Sequence, residues 1–192
     1  MVSKVQRIAG GGLAAIVGLA TAQMLLTSIP SDESGRKVRV EIDKAGVAKV
    51  HHVSGRQYLR AYLDMVGVAT ACDGLTSYKG RKIRIGDQFT EDQCAVMLEE
   101  ELVVHAKGVM QCTPGLALTI PRRDHARFAA VSLAYNVGVG AYCGSTARVR
   151  FNAGQIGAAC EAITWWNKAG GKVVNGLVAR RKRERAECVK DA

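Results

Sequence analysis

Aromatic side chains are scarce in this chain, 5% of its 192 residues, and none interleaves with the densest basic cluster, Arg180 to Arg185. A surface that stacks the bases of single-stranded nucleic acid needs that interleaving, so a strand-binding role is disfavoured. Only three residues are proline, and no repeat or low-complexity tract interrupts an ordinary 48% apolar, 23% charged composition. Collagen-like, fibrous and disordered chains are thereby excluded, and one main globular body is expected. Acidic groups are few: 17 Asp+Glu against 27 Lys+Arg leave a net charge of +10. The favoured partner is therefore anionic, whether nucleic acid, anionic lipid or a carboxylate-rich wall polymer. The six cysteines, at 72, 94, 112, 143, 160 and 188, form no CxxC and no Cys/His pairing of the kind zinc requires. Disulfides in an oxidising compartment fit them better. No metal or organic cofactor is indicated.

The longest uncharged stretch runs from Ile8 to Ile29, with Lys4 and Arg7 before it and Pro30, Asp32 and Glu33 after it. It is long enough to span a bilayer. Basic residues ahead and acidic residues behind orient it with Met1 in the cytoplasm and the remainder outside. The stretch is diluted by Gly10, Gly11, Gly12, Gly18, Thr21, Gln23, Thr27 and Ser28, so its hold on a membrane is weak. Four readings follow: a stable anchor, a signal peptide cut after Ala20-Thr21-Ala22, a signal anchor that later slips out of the bilayer, and a buried core helix.

Beyond it, Val38, Val40 and Ile42 alternate with Arg39, Glu41 and Asp43, and a Lys44-Ala45-Gly46 turn leads to Val47-Ala48-Lys49-Val50. This period of two around a glycine turn predicts a hairpin, serving either as a stalk or as a strand pair packed on the body. A short strand-bearing part is expected from Tyr58 to Ile85. Thr90-Glu91-Asp92-Gln93 has the form of a capping box and opens a helix through Ala95, Val96, Leu98, Leu102, Val103 and Ala106. Pro121 marks another helix start, ahead of Phe128, Ala129, Val131, Leu133 and Ala134, and helical spacing recurs over about 155–168 and 177–190. Trp165 and Trp166 read as core residues, with a sugar-lining role as the alternative. Arg180, Arg181, Lys182, Arg183 and Arg185, interspersed with Glu184 and Glu187, read as a solvated, partly salt-bridged helix face.

Ala61-Tyr62-Leu63-Asp64-Met65-Val66-Gly67-Val68-Ala69-Thr70 sets a carboxylate, a glycine turn and a hydroxyl close together, just before Cys72-Asp73-Gly74-Leu75-Thr76. Ala134-Tyr135-Asn136-Val137-Gly138 follows, then Trp166-Asn167-Lys168-Ala169-Gly170-Gly171 with Gly176-Leu177 and Arg180-Arg181. In this order, and behind such an N-terminal stretch, the motifs resemble the phage-type lysozymes of glycoside hydrolase family 24, in particular their signal-anchor-release endolysins. The likeness extends from Tyr58 to Cys188.

The resemblance implies an α+β, lysozyme-like fold: a small β-sheet lobe, a larger helical lobe, and an N-terminal transmembrane or signal-anchor helix. Its expected organisation is an anchor over 1–30, a linker with a possible hairpin over 31–53, and a muramidase domain over 54–192. The implied activity is hydrolysis of the β-1,4 bond between N-acetylmuramic acid and N-acetylglucosamine in peptidoglycan, for host lysis, in phage or prophage. The implied partners are peptidoglycan and the host inner membrane, with no nucleic acid, in a monomer that starts at that membrane and ends in the periplasm. Such chemistry needs one carboxyl to protonate the leaving oxygen and a second to stabilise the oxocarbenium ion or activate water. Asp64 matches the family's aspartate and Thr70 its threonine. The family's general-acid glutamate falls, counted back from Asp64, on Gly55, and no glutamate lies between Glu41 and Asp64. Asp73 and the His51-His52 pair are the nearby substitutes, each also readable as a loop carboxylate or as solvated histidines. The alternative is a catalytically inactive, lysozyme-fold protein that binds wall or regulates lysis. Family cysteines resemble Cys72, Cys94, Cys160 and Cys188 in place; of the fifteen possible connectivities of six cysteines, 72–94, 112–143 and 160–188 would each staple neighbouring segments.

Overall fold

A computed structural model describes residues 12–44, 46–64 and 67–192. The first part of the uncharged stretch with its flanking Lys4 and Arg7, and Ala45, Met65 and Val66 of the two turn motifs, lie outside the described residues. The described part of the uncharged stretch is not one long rod. It forms α1 (Leu13–Val17) and α2 (Leu19–Ser34), broken at Gly18. Among the described residues no helix is long and apolar enough to cross a membrane.

Both helices lie in the main core, where Leu13, Val17, Ala22, Leu25, Leu26 and Ile29 are fully buried. Their spacing puts one apolar stripe of α2 against the helical lobe. The described part of the expected anchor is thus folded into the lobe and does not stand apart from it.

The chain turns at Gly35, in a left-handed conformation, and enters the hairpin β1 (Lys37–Ile42) and β2 (Ala48–Ser54). Val40 and Val50 face each other across the ladder and are both buried in the main core. The hairpin is packed on the body and is no stalk. The small lobe follows as two further antiparallel pairs, β3 (Tyr62–Leu63) with β4 (Ala69–Thr70) and β5 (Ser77–Tyr78) with β6 (Arg81–Lys82). Its own core is Ala61, Ala71, Cys72, Leu75, Ile83, Cys94 and Met97.

The capping box forms as the sequence predicts: Gln93 donates its backbone N–H to Thr90 Oγ1 at 3.1 Å, and Thr90 donates back to Gln93 Oε1 at 2.8 Å. It starts α3 (Glu91–Cys112), which serves both lobes by burying Cys94 and Met97 in the small one and Leu98, Leu102, Val103, Ala106 and Val109 in the large one. The next helix, α4 (Asp124–Val137), begins a turn after Pro121 and is buried on every side from Ala126 to Ala134. Small alanines let neighbouring helices close around it. The remainder is α5 (Val139–Cys143), α6 (Thr146–Asn152), α7 (Ile156–Ile163), the short pair β7 (Lys168–Ala169) and β8 (Lys172–Val173), and α8 (Asn175–Cys188). The fold is mixed α+β, a helical lobe with small sheets. Disulfides join Cys72 to Cys94, Cys112 to Cys143 and Cys160 to Cys188, one connectivity of the fifteen that six cysteines allow.

Two expectations change. Trp165 is 57% exposed with the Arg150 guanidinium over its ring, because the chain leaves the helical path after Ile163, and only Trp166 packs on the core. Arg180 and Arg181 are buried, not solvated, because α8 turns them onto α4 and the end of α2, leaving Lys182 and Arg183 outside.

Candidate active site

Glu33 stands in the last turn of α2, and its side chain borders a cavity of about 220 Å³ between the lobes. The small lobe contributes Gly74, Leu75, Thr76 and Ser77, while the helical lobe adds Glu101 and His105 from α3 and Tyr135 and Asn136 from α4. A fixed carboxyl in a polar cleft is what acid catalysis requires. Arg180 holds it, donating from Nη1 to Glu33 Oε1 at 2.6 Å. Arg180 also donates from Nε to Glu184 Oε1 at 3.2 Å, and Glu184 in turn accepts from Ser132 Oγ and Arg181. Asp32 pairs with Arg180 at 3.6 Å and with Arg183. The C-terminal end of α2 is thus clamped to α8 by charge-assisted bonds, which resist rotation of the glutamate better than neutral ones.

A hairpin separates Glu33 from Gly55, the position that counting back from Asp64 reaches. Gly55 has φ +91°, and a Cβ there would lie 2.7 Å from the Gly35 carbonyl oxygen and 3.0 Å from Arg36 Cα. The chain therefore leaves at Gly35–Arg36 and returns at Gly55, directly against its own departure point. Ser34-Gly35-Arg36 and Ser54-Gly55-Arg56 are the same tripeptide on either side of this excursion. Counting back along the sequence from Asp64 stops at the second copy, whereas Glu33 precedes the first. The repeated Ser-Gly-Arg was the signal available in the sequence.

The other predicted residues take these places. Asp64 closes the turn after β3: its Oδ1 accepts the Val68 N–H at 2.8 Å and its carbonyl accepts the Gly67 N–H at 3.1 Å. Thr70 lies opposite Tyr62 in the β3–β4 pair, is 3% exposed, and donates from Oγ1 to the Val68 carbonyl at 3.1 Å. Both belong to one hairpin, which an Ala71–Leu75 bridge connects to the loop carrying Gly74. Gly74 in turn sits against the Glu33 carboxylate. The lining of the cavity beside Glu33 includes neither Asp64 nor Thr70. Burial raises the Tyr62 phenol above its ordinary value, with Tyr58 and the Asp64 charge adding to the effect.

Asp73 is not a free acid. It is buried, accepts two bonds from Arg36 at 3.0 and 2.6 Å and a third from Ser34 Oγ at 2.9 Å, and so ties the residues just after Glu33 to the small lobe. His51 faces Glu41 from the exposed side of the hairpin, and the His52 backbone N–H donates to Glu91 Oε1. Neither histidine lines the cavity. Tyr135, by contrast, is driven far up from its ordinary value by burial, with the Glu33 and Glu101 charges pushing the same way. It faces the cleft as a neutral hydrogen-bonding group.

Residues 54–184 match the family model described as phage lysozyme. The chain is 38% identical to the SAR-endolysin of Enterobacteria phage P21 over 128 residues, covering 67% of this chain and 73% of that protein. It is 30% identical over 148 residues to the endolysin of Salmonella phage P22, covering 77% of this chain and 97% of that one. Among solved structures, the endolysin from Escherichia coli O157:H7 phage FAHEc1 superposes with a TM-score of 0.66 at 25% identity, covering 87% of this chain and 91% of that one.

Proposed function

The chain belongs to the phage lysozyme family and is a peptidoglycan-degrading glycoside hydrolase of the endolysin kind, and we propose that it cleaves the β-1,4 bond between N-acetylmuramic acid and N-acetylglucosamine with Glu33 as its general acid. The observation that carries this reading is the position of Glu33, which borders an interlobe cleft, is held by Arg180, and precedes a hairpin whose two ends meet. The non-catalytic alternative drew its force from Gly55, and Glu33 supplies the carboxyl that Gly55 lacks.

In the proposed mechanism the glycan lies across the cleft with the scissile oxygen at Glu33, which donates its proton to the leaving sugar. Asp64 supplies the second carboxylate, stabilising the positive charge that develops on the ring. Thr70 holds the attacking water through its hydroxyl. Arg180 orients the acid and takes no part in proton transfer.

The protein starts at the host inner membrane, N-terminus inside, and acts in the periplasm once the weakly apolar segment leaves the bilayer. Support comes from the SAR-endolysin relatives and from the burial of α1 and α2 in the lobe. Glu33 rides on α2, so the acid reaches the cleft only when that helix is packed.

The test is muropeptide release from purified peptidoglycan by the full, oxidised chain beside Glu33→Gln, Asp64→Asn and Thr70→Ala. Glu33→Gln is expected to cut the rate by about 10²–10⁴ while leaving the fold intact. Wild-type levels of release from Glu33→Gln would overturn the assignment.

A further inference from the structure

His105 is the one imidazole on the cavity wall among the described residues, and the mechanism above gives it no task. It sits on α3, part-buried at 14% exposure. Its Nδ1 is 2.9 Å from the Glu101 carbonyl oxygen and 3.5 Å from Glu101 Oε1. Both neighbours only accept, so Nδ1 carries the ring proton; this tautomer is assigned from the acceptors around it. The ring is further fixed by Tyr135, whose ring centre lies 5.1 Å away. Nε2 is then left as an oriented lone pair, with no partner among the described residues, on a wall it shares with Glu33.

We propose that His105 is a substrate-binding, specificity-determining residue of the cleft, its Nε2 accepting a hydrogen bond from a donor of the sugar seated beside Glu33, a hydroxyl or an acetamido N–H. The proposal rests on the muramidase reading and deepens it. The rest of this wall supplies the Glu101 carboxylate and the hydroxyls of Thr76, Ser77 and Tyr135. An imidazole whose Nδ1 is held by Glu101 adds one more acceptor at a fixed angle. Because the residue binds and does not transfer a proton, it acts on affinity and not on the chemical step.

The experiment measures apparent KM and kcat on purified peptidoglycan for the full, oxidised chain, for His105→Phe and for His105→Gln, with thermal melts of all three. His105→Phe keeps a flat ring against Tyr135 but has no acceptor; it should raise KM about fivefold, the usual worth of one neutral hydrogen bond, and leave kcat within about twofold. His105→Gln carries an amide oxygen and should recover part of that loss. An unchanged KM in His105→Phe overturns the proposal, as does a fall in kcat at constant KM, or an equal loss in both variants. If the phenylalanine variant melts below the assay temperature, the glutamine variant decides: a KM more than about fivefold above wild type overturns the proposal, and a smaller rise supports it. A wild type that releases no muropeptides overturns the muramidase reading itself, and that outcome is distinct from an active wild type whose KM ignores residue 105.

Discussion

Glu33 and Gly55 are a matched pair at the scale of single residues. The backbone at Gly55 is left-handed, and any Cβ there would collide with the Gly35 carbonyl. Gly55→Ala is accordingly expected to destabilise the fold by about 1–3 kcal/mol, through strain and displacement of the hairpin base, and thermal or urea unfolding would register it. Arg180 is bonded to Glu33, Glu184 and the Ser132 carbonyl while almost fully buried. Arg180→Leu removes the cation that bonds Glu33 and one of three donors to the buried Glu184, so it should cost stability, about 3–5 kcal/mol. It should also cost activity, because the acid loses its orienting partner. The turn that carries Asp64 and the strand pair that carries Thr70 were legible because both are local in sequence. Glu33 was not, because its neighbourhood is closed by a contact between Gly35 and Gly55 that sequence spacing conceals.

Elements carry the second set of consequences. A fragment of residues 31–192 looks like a clean soluble domain if the first thirty residues are taken as an anchor. In the fold it lacks Leu13, Val17, Ala22, Leu25, Leu26 and Ile29, all fully buried. Each such loss costs about 2–5 kcal/mol, against a total of about 5–15 for a typical domain. That fragment should therefore show no cooperative melt and release no muropeptides, while the chain from Leu13 onward does both. The hairpin is the opposite case. Its ends touch, so removing 37–55 and joining Arg36 to Arg56 should leave a folded, active enzyme, less stable because Val40 and Val50 no longer fill the core. Circular dichroism melts beside the release assay would separate these two effects. The capping box and the alternation of β1 and β2 were visible in the sequence because both are set by local hydrogen bonds and by side-chain period. Whether the hairpin stood free or lay on the body was decided by where Val40 and Val50 found apolar partners.

The whole molecule is held by two cores, three disulfides and a few buried charges. The Cys72–Cys94 bridge ties the small lobe to α3, Cys112–Cys143 joins α3 to α5, and Cys160–Cys188 joins α7 to α8. Each is worth about 2–4 kcal/mol, so reduction should lower the melting temperature substantially and slow lysis under reducing conditions. Acid sensitivity has a definite sign. Glu91 accepts the His52 N–H, and this bond holds its carboxyl below the ordinary value of 4.5. Its stabilising contribution is complete above that value and is lost as pH falls through the lower, folded one. Glu91→Gln should flatten the loss of stability below about pH 5, measured as melting temperature against pH.

Cysteine usage pointed to disulfides, and the ordered motifs pointed to the family and through it to the α+β fold, because each depends on residue type or on short spacing. The amino-acid sequence also contained the duplicated Ser-Gly-Arg and the apolar stripe of α2, yet neither could be interpreted alone. Tertiary structure decided that the uncharged N-terminal helices fill the lobe, that Arg180 and Arg181 turn inward, and that Glu33 borders the cleft. The physical reason is the same for all three: the free energy of burying an apolar face or pairing a charge depends on which distant segment packs against it, and that is a property of the closed fold.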